Sequence, residues 1–204
     1  MKDSFSHLTA TYRHSFRLQS YDYSQAGLYF VTICVHNRDC LFGKVIDHQM
    51  ILNDAGGMVE KWFYKTDVNY PNIRCLDFVI MPNHIHCVWE ITDIVGADPC
   101  VRPNKKTCVR PNKKTCFCLN QTGGNANKTG GHMGPPLHRV VQWFKTMTTN
   151  EYIRGVNNNG WKPFDVKLWQ RNYYEHIIRD EQSYNAICKY IMNNPANWIS
   201  ENDI

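Results

Sequence analysis

The spacing of hydrophobic and polar residues predicts strands in the first half of the chain. Four segments rich in β-branched and aromatic residues predict extended structure. They are residues 26–37, 41–52, 73–81 and 84–91. The dipeptide Pro82-Asn83 separates the last two segments and predicts a tight turn, so these two are expected to pair as a hairpin.

Helical spacing appears in three other places. Asn53 is a suitable N-cap for a helix that begins with DAGGMVEKWFYK. Apolar residues recur at helical spacing in the segment LHRVVQWFKTMTTNEYI, residues 137–153. A last helix is predicted from about Glu181 to Asn194, where Pro195 stops it. Residues 168–180 between these two helices are predicted to be extended.

The order of these elements favours a single α+β domain over residues 1–204. Strands alternate with helices that can pack against one sheet. The expected architecture is a ferredoxin-like, or RRM-like, antiparallel sheet with packed helices. Residues 1–25 have little hydrophobic patterning and are expected to form an N-terminal arm.

Residues 93–136 differ in composition from the rest of the chain. They contain the octapeptide VRPNKKTC twice in tandem, followed by a stretch rich in Gly, Asn and Thr. This segment is interpreted as a flexible basic insertion within the domain. It holds seven of the 23 Lys and Arg residues and two of the 18 Asp and Glu residues, so it accounts for the whole formal net charge of +5. A tolerated surface loop is favoured over a mobile arm that contacts phosphates.

The remaining composition narrows the class of protein. No apolar run is long enough for a membrane span, and no apolar signal segment stands at the N-terminus, so a cytoplasmic protein without a membrane partner is expected. The nine cysteines form no CxxC pair, which favours reduced thiols. Cys108, Cys116 and Cys118 match no standard zinc spacing.

Two histidines in one predicted strand indicate a metal site. Side chains alternate across a strand, so His84 and His86 lie on one face. Ile85, Cys87 and Trp89 form an apolar stripe on the other face. Two imidazoles two residues apart can converge on one ion, but an ion needs at least one further ligand.

The last predicted helix offers a further ligand. Tyr190 and Asn194 are four residues apart and therefore lie one above the other, at the edge of the apolar stripe of the helix. Both could reach a site on the sheet. Taken alone, they could equally be a boundary aromatic residue and an ordinary residue before Pro195.

A set of motifs in the chain resembles the HUH (His, hydrophobic, His) single-tyrosine transposases, and more particularly the REP-associated tyrosine transposases. The motifs are SFRLQSYDYSQAGLYFVTICVHNRDCLFG, FVIMPNHIHCVWEI, WFKTMTTNEYI, WQRNYYEHIIRD and YIMNNPANW. Together they cover nearly all of the chain outside the insertion. The resemblance implies the HUH endonuclease fold.

The resemblance also implies roles for single residues. Tyr190 would be the nucleophile, and Asn194 would be the third ligand, with His84 and His86, of Mg²⁺ or Mn²⁺. The implied reaction cleaves and rejoins single-stranded DNA, in hairpin-containing substrates, through a 5′-phosphotyrosine. Three tyrosines without a partner four residues later are competing nucleophiles: Tyr173, Tyr174 and Tyr184. Free tyrosine has a pKa near 10, so the nucleophile needs a proton acceptor. His176 is a candidate for this acceptor, although a structural role is favoured for it.

DNA contacts are expected from basic and aromatic side chains. The candidates are Arg13, Arg17, Lys145, Trp169, Arg171 and Arg179. Two other functions stay open: a replication initiator that uses the same chemistry, and a DNA-hairpin binder without catalysis. A homodimer is also compatible with the sequence.

Overall fold

A computed structural model describes residues 22–92 and 136–198 of the chain. The strands are β1 (Gly27–Cys34), β2 (Gly43–Ile46), β3 (Gln49–Leu52), β4 (Ile73–Met81), β5 (His84–Ile91) and β6 (Tyr174–Ile178). The helices are α1 (Asp54–Asn69), α2 (Leu137–Asn159) and α3 (Glu181–Asn193), with a short 3-10 turn at His36–Arg38.

Four strands form one antiparallel sheet in the order β4-β5-β1-β6. When the separate hairpin β2–β3 is set aside, the chain runs strand, helix, strand, strand, helix, strand. This connectivity with this strand order is the ferredoxin-like arrangement, so the predicted fold class is confirmed. The helix α3 is an addition at the C-terminal end.

The main core lies between one face of the sheet and the helices α1 and α2. Side chains of β1 and β5 that point to this face are fully buried, among them Tyr29, Val31 and Trp89. They pack with Phe63 of α1 and Phe144 of α2. The predicted apolar stripe of β5 is therefore part of this core.

The opposite face of the sheet is covered in part by α3. A second, smaller cluster joins Leu28, Phe30 and Val88 of the sheet to Tyr184 and Ile191 of α3. Because helices cover both of its faces, β5 is buried along almost its entire length. His84 and His86 point to the face that carries α3, since they are out of phase with Ile85 and Cys87.

Several local predictions are confirmed. The side chain of Asn53 caps α1 by accepting a hydrogen bond of 2.9 Å from the backbone N–H of Gly56. Strands β4 and β5 have the predicted bounds. Helix α3 begins at Glu181, as predicted, and its N-cap, Asp180, accepts a hydrogen bond of 2.7 Å from the backbone N–H of Ser183.

Other boundaries differ from the prediction. The segment 41–52 is a hairpin rather than one extended segment, because Asp47 and His48 take left-handed backbone angles and reverse the chain. Helix α2 continues past residue 153 and ends only at Gly160, whose φ is +68°. Only residues 174–178 of the predicted extended segment 168–180 form a strand.

Some predictions fall on residues that the structure does not describe. Residues 93–135 of the predicted insertion and residues 1–21 of the predicted arm are among them, and so are Arg13 and Arg17. In the described ranges, no helix combines the length and the apolar character that crossing a membrane requires.

Candidate active site

The two histidines of β5 converge on one point. Their Nε2 atoms are 3.0 Å apart, and their ring centroids are 4.6 Å apart. Two nitrogen ligands of one metal ion, each about 2.1 Å from it and about 90° apart, are separated by about 3 Å. The pair therefore has the spacing of two ligands of a single ion.

Neighbouring groups fix both imidazole rings. His84 Nδ1 lies 2.7 Å from Oδ1 of Asn83, which can only accept, so this nitrogen carries the hydrogen and Nε2 keeps its lone pair. His86 Nδ1 lies 2.7 Å from the hydroxyl of Thr32, its cross-strand neighbour. The Thr32 hydroxyl can either accept a hydrogen bond from Nδ1 or donate one to it. It is therefore compatible with both neutral tautomers of His86, the one with a proton on Nε2 and the one without. Phe30 stacks on the His86 ring at 5.4 Å.

The surroundings keep both histidines neutral. His84 and His86 are 8% and 5% exposed. Burial, with the charge of Arg38, lowers the pKa of His84 to about 4. Burial lowers the pKa of His86 to about 3, with contributions from His84 and Arg38. A neutral imidazole is the form that binds a metal ion.

Helix α3 brings Tyr190 to this pair. Its hydroxyl oxygen lies 3.1 Å from His86 Nε2, and its ring meets Phe30 edge-on. The residue is 47% exposed, so part of it can be reached from the solvent. The structure thus joins the predicted nucleophile to one of the predicted metal ligands, although 104 residues separate them in sequence.

Asn194, the third predicted ligand, is the C-cap of α3 and is half-buried. It follows Tyr190 by one helical turn and so lies above it on the same side of the helix. Within the described residues, no group of three His, Cys, Asp or Glu side chains could hold a metal ion. An ion at the histidine pair would need an amide, a phosphate oxygen or water as a further ligand, and Asn194 as that ligand stays a prediction.

A partly buried polar contact holds α3 on the sheet. The hydroxyl of Tyr184 donates to Asp77 Oδ2 at 2.7 Å, and Cys188 Sγ lies 3.3 Å from the same oxygen. Asp77 sits where the pairing of β4 with β5 is irregular. Burial and Asp77 raise the pKa of Tyr184 above its ordinary range and that of Cys188 to about 11. Asp77 of β4 thus anchors α3, the helix that carries Tyr190, through Tyr184 and Cys188.

Comparison with known proteins finds one similar curated sequence. No family model matches the chain. An uncharacterized protein of Haemophilus influenzae is 41% identical over 187 residues, which are 92% of this chain and 90% of that protein. The chain belongs to the same family as that protein.

Similar solved structures include a REP-associated tyrosine transposase bound to a REP hairpin. It has 18% identity and a TM-score of 0.47, over 91% of this chain and 76% of that one. Another is a transposase candidate from Deinococcus radiodurans, with 10% identity and a TM-score of 0.41, over 87% of this chain and 95% of that one. Similarity at these values assigns no function to this chain. A function must therefore be argued from the geometry of the site.

The competing tyrosines are placed away from the histidine pair or have other partners. Tyr184 is 7% exposed and is bound to Asp77. The ring of Tyr173 lies under the ammonium group of Lys145, at 5.3 Å. Tyr174 is exposed on the edge strand β6. In the described residues, Tyr190 is the tyrosine whose hydroxyl is within hydrogen-bond distance of a site histidine.

Two of the predicted DNA contacts have structural roles. Trp169 is 4% exposed, packs against Phe42 and Phe144, and donates from Nε1 to Thr148. A buried ring cannot stack on a base. The prediction that Trp169 contacts DNA is therefore wrong. The Lys145 ammonium donates to the backbone carbonyls of residues 170–172, at 3.0 to 3.4 Å, and so holds the segment before β6.

Arg171 and Arg179 are exposed at the two ends of β6 and stay candidates for phosphate contacts. The sequence reasoning did not single out Arg38, which is exposed in the turn that follows β1. The last residue of β1, Cys34, pairs with His84, so this turn lies beside the histidine pair. Trp198, after α3, also lies near His84, with ring centroids 6.0 Å apart. Both are distant in sequence from the HxH motif, so only the fold brings them to it.

Proposed function

We propose that this protein is a metal-dependent enzyme that cleaves and rejoins single-stranded DNA, with Tyr190 as the nucleophile. The observation that carries the proposal is the convergence of three groups: the Tyr190 hydroxyl, His86 Nε2 and His84 Nε2, at 3.1 and 3.0 Å. A phenol beside a pair of neutral, buried imidazoles is suited to attack on a phosphate bound at those imidazoles.

The donor set suits a divalent cation. Both Nε2 atoms face the same point, and hydrogen bonds at both Nδ1 atoms orient the rings. Asn194 would add an amide oxygen, which with two nitrogens favours Mn²⁺ or Mg²⁺. When bound, such an ion supplies positive charge that stabilises the charge developing on a phosphate oxygen.

In the proposed reaction, the Tyr190 oxygen attacks the phosphorus and the bond from phosphorus to the 3′-oxygen breaks. The 3′-oxygen leaves and is protonated to a hydroxyl, while the 5′-phosphate stays on Tyr190. The phosphodiester bond energy is conserved, so a 3′-hydroxyl can attack in reverse and rejoin the strands without ATP. His176 pairs with Phe30 and shares its face of the sheet, and it stays one candidate acceptor for the Tyr190 proton, with a structural role favoured.

The protein's charges support a phosphate-bearing substrate. Arg38 is exposed next to the histidine pair, and its charge contributes to the low pKa of both imidazoles. A bound phosphate would be balanced by this guanidinium. The half-exposed Tyr190 leaves access for a strand from the solvent side.

The test is a covalent protein–DNA band. The wild type, Tyr190→Phe and Tyr64→Phe are each mixed with end-labelled, hairpin-containing single strands taken from DNA beside the gene, with Mn²⁺ or with EDTA. Both variants lose only a phenolic oxygen from a partly exposed tyrosine, and Tyr64 lies on α1 away from the site, so Tyr64→Phe is the matched control. We expect a Mn²⁺-dependent band for the wild type and Tyr64→Phe and none for Tyr190→Phe. If all three proteins bind the DNA and none forms the band, the protein is a hairpin binder without this catalysis.

A further inference from the structure

Helix α3 leaves part of the site-bearing sheet face open. In the pairing register, His86 lies opposite Thr32 of β1, and Thr32 lies opposite Tyr174 of β6. The three side chains therefore form a row across the sheet on one face. With strands about 4.8 Å apart, Tyr174 is about 10 Å from His86 along this row. The Tyr174 side chain is 51% exposed.

Tyr174 differs from the structural tyrosines of this protein. Tyr29, Tyr152 and Tyr184 are buried. No aromatic ring stacks on Tyr174 within the part of the chain that the structure describes. It lies on β6, which is an edge strand of the sheet. A large aromatic side chain in this position contributes little to either hydrophobic cluster.

Three exposed arginines lie around this open face. Arg171 precedes β6 and Arg179 follows it, and both are exposed. Arg38 lies at the opposite side, beside His84. Glu175, the acidic residue within β6, pairs with Val31 and so points to the other face. Alternation in β6 therefore keeps its carboxylate away from the row.

We propose that an unpaired base of the substrate strand, next to the phosphate at the histidine pair, stacks on Tyr174. The open face between Tyr174 and His86 is then the binding site for a single strand, with Arg38 and Arg171 near its phosphates. Aromatic side chains on an exposed sheet face are a common platform for unpaired bases. The inference rests on the proposed function, because it assigns the course of the strand relative to that site.

The test combines a protein variant with the removal of single bases. Binding of labelled single strands from beside the gene is measured by fluorescence anisotropy for the wild type, Tyr174→Ala and Tyr174→Phe. Tyr64→Ala is the control, since Tyr64 is a 40% exposed tyrosine on α1, at the other face of the sheet. Each strand is also made with one abasic position at a time, and adduct formation is followed in parallel.

Tyr174→Ala should lose affinity by about 5-fold to 100-fold, because this is the contribution that stacking on one base makes to binding. Tyr174→Phe and Tyr64→Ala should bind like the wild type. One abasic position should weaken wild-type binding and have no further effect on Tyr174→Ala, as expected for two groups in contact.

The opposite results are distinct. If Tyr174→Ala binds within about twofold of the wild type and has the same abasic profile, the inference is wrong, whether or not adducts form. If the wild type binds no single strand, both this inference and the proposed function fail. If Tyr174 and one base are coupled but no adduct forms, the stacking site stands and the catalytic proposal fails.

Discussion

The hydroxyl of Tyr190 and Nε2 of His86 are 3.1 Å apart, although one lies on α3 and the other on β5. Phe30 contacts both rings, and Tyr190 is half-exposed whereas His86 is buried. This relationship joins the proposed nucleophile to a proposed metal ligand, and it depends on the position of α3 over the sheet.

The Thr32 hydroxyl is predicted to tune metal binding through His86. Thr32→Val removes the only polar atom of a side chain that lies 2.7 Å from His86 Nδ1, while keeping its shape. Loss of such a partner to a ligating histidine typically lowers metal affinity about 10-fold to 100-fold. Titration calorimetry with Mn²⁺ should show this loss. Thr32→Ser, which keeps the hydroxyl, should retain most of the affinity, and equal affinities for Val and Ser would contradict this role.

The contact of Asp77 with α3 is predicted to position Tyr190. Asp77→Ala leaves the Tyr184 hydroxyl without its acceptor and should lower the free energy of unfolding by about 1–3 kcal/mol. The rate of adduct formation should fall, because α3 carries Tyr190, and Mn²⁺ affinity should fall less, because two of the three proposed ligands are on β5. Asp165→Asn, at an exposed loop position, is the control. An unchanged adduct rate in a measurably destabilised Asp77→Ala would show that the contact serves stability alone.

The same contact predicts a pH effect on a thiol. Burial and Asp77 raise the pKa of Cys188 to about 11, so at pH 8 this thiol is almost entirely protonated and unreactive. Asp77→Asn removes the negative charge, lowers this pKa and should increase the thiolate fraction. Alkylation with iodoacetamide at pH 8, followed by peptide mass spectrometry, should be several-fold faster at Cys188 in the variant. The rate at the exposed Cys40 should not change, and a slower reaction at Cys188 would contradict the stated cause.

Arg38 is predicted to contact a phosphate of the bound strand. Arg38→Gln should weaken binding of single strands and reduce the slope of log affinity against log salt by about 0.7. Arg154→Gln is the matched control, because Arg154 is exposed on α2, which packs on the other face of the sheet. Anisotropy titrations at several salt concentrations provide both slopes. Equal slopes for the two variants would exclude Arg38 from the phosphate contacts.

Lys145 is predicted to act on stability rather than on DNA. Its ammonium group donates to three backbone carbonyls before β6, so Lys145→Met leaves those carbonyls without this donor. The free energy of unfolding should fall by about 1–3 kcal/mol. Thermal or denaturant unfolding measures the loss, and the salt slope of DNA binding should stay that of the wild type. A reduced salt slope with unchanged stability would contradict this role and would indicate that Lys145 contacts a DNA phosphate.

Local patterns predicted the fold well where short-range physics decides it. The bounds of β4 and β5, the Asn53 cap and the start of α3 follow from residue type, turn chemistry and periodicity. The face of the sheet that His84 and His86 share follows from strand alternation alone. The reversal at Asp47 and His48 was missed, since neither residue is glycine, although both take positive φ.

What depends on tertiary contact could not be predicted in the same way. Trp169 looks like an exposed aromatic in a polar segment, but the core accepts it between Phe42 and Phe144. Asp77 is a single carboxylate in a strand, and only the packing of α3 gives it two partners. The position of Arg38 beside His84 likewise follows from strand pairing between residues about fifty positions apart.

The most direct test of the central claim is to identify the amino acid that carries the DNA. Wild-type protein is incubated with the single-stranded hairpin substrate and Mn²⁺, digested with nuclease and protease, and analysed by peptide mass spectrometry. We expect a nucleotide on Tyr190, in the peptide that follows Lys189. A nucleotide on Tyr173, Tyr174 or Tyr184 would contradict the assignment of the nucleophile. Cleavage of the DNA without any nucleotide on the protein would contradict the covalent reaction itself.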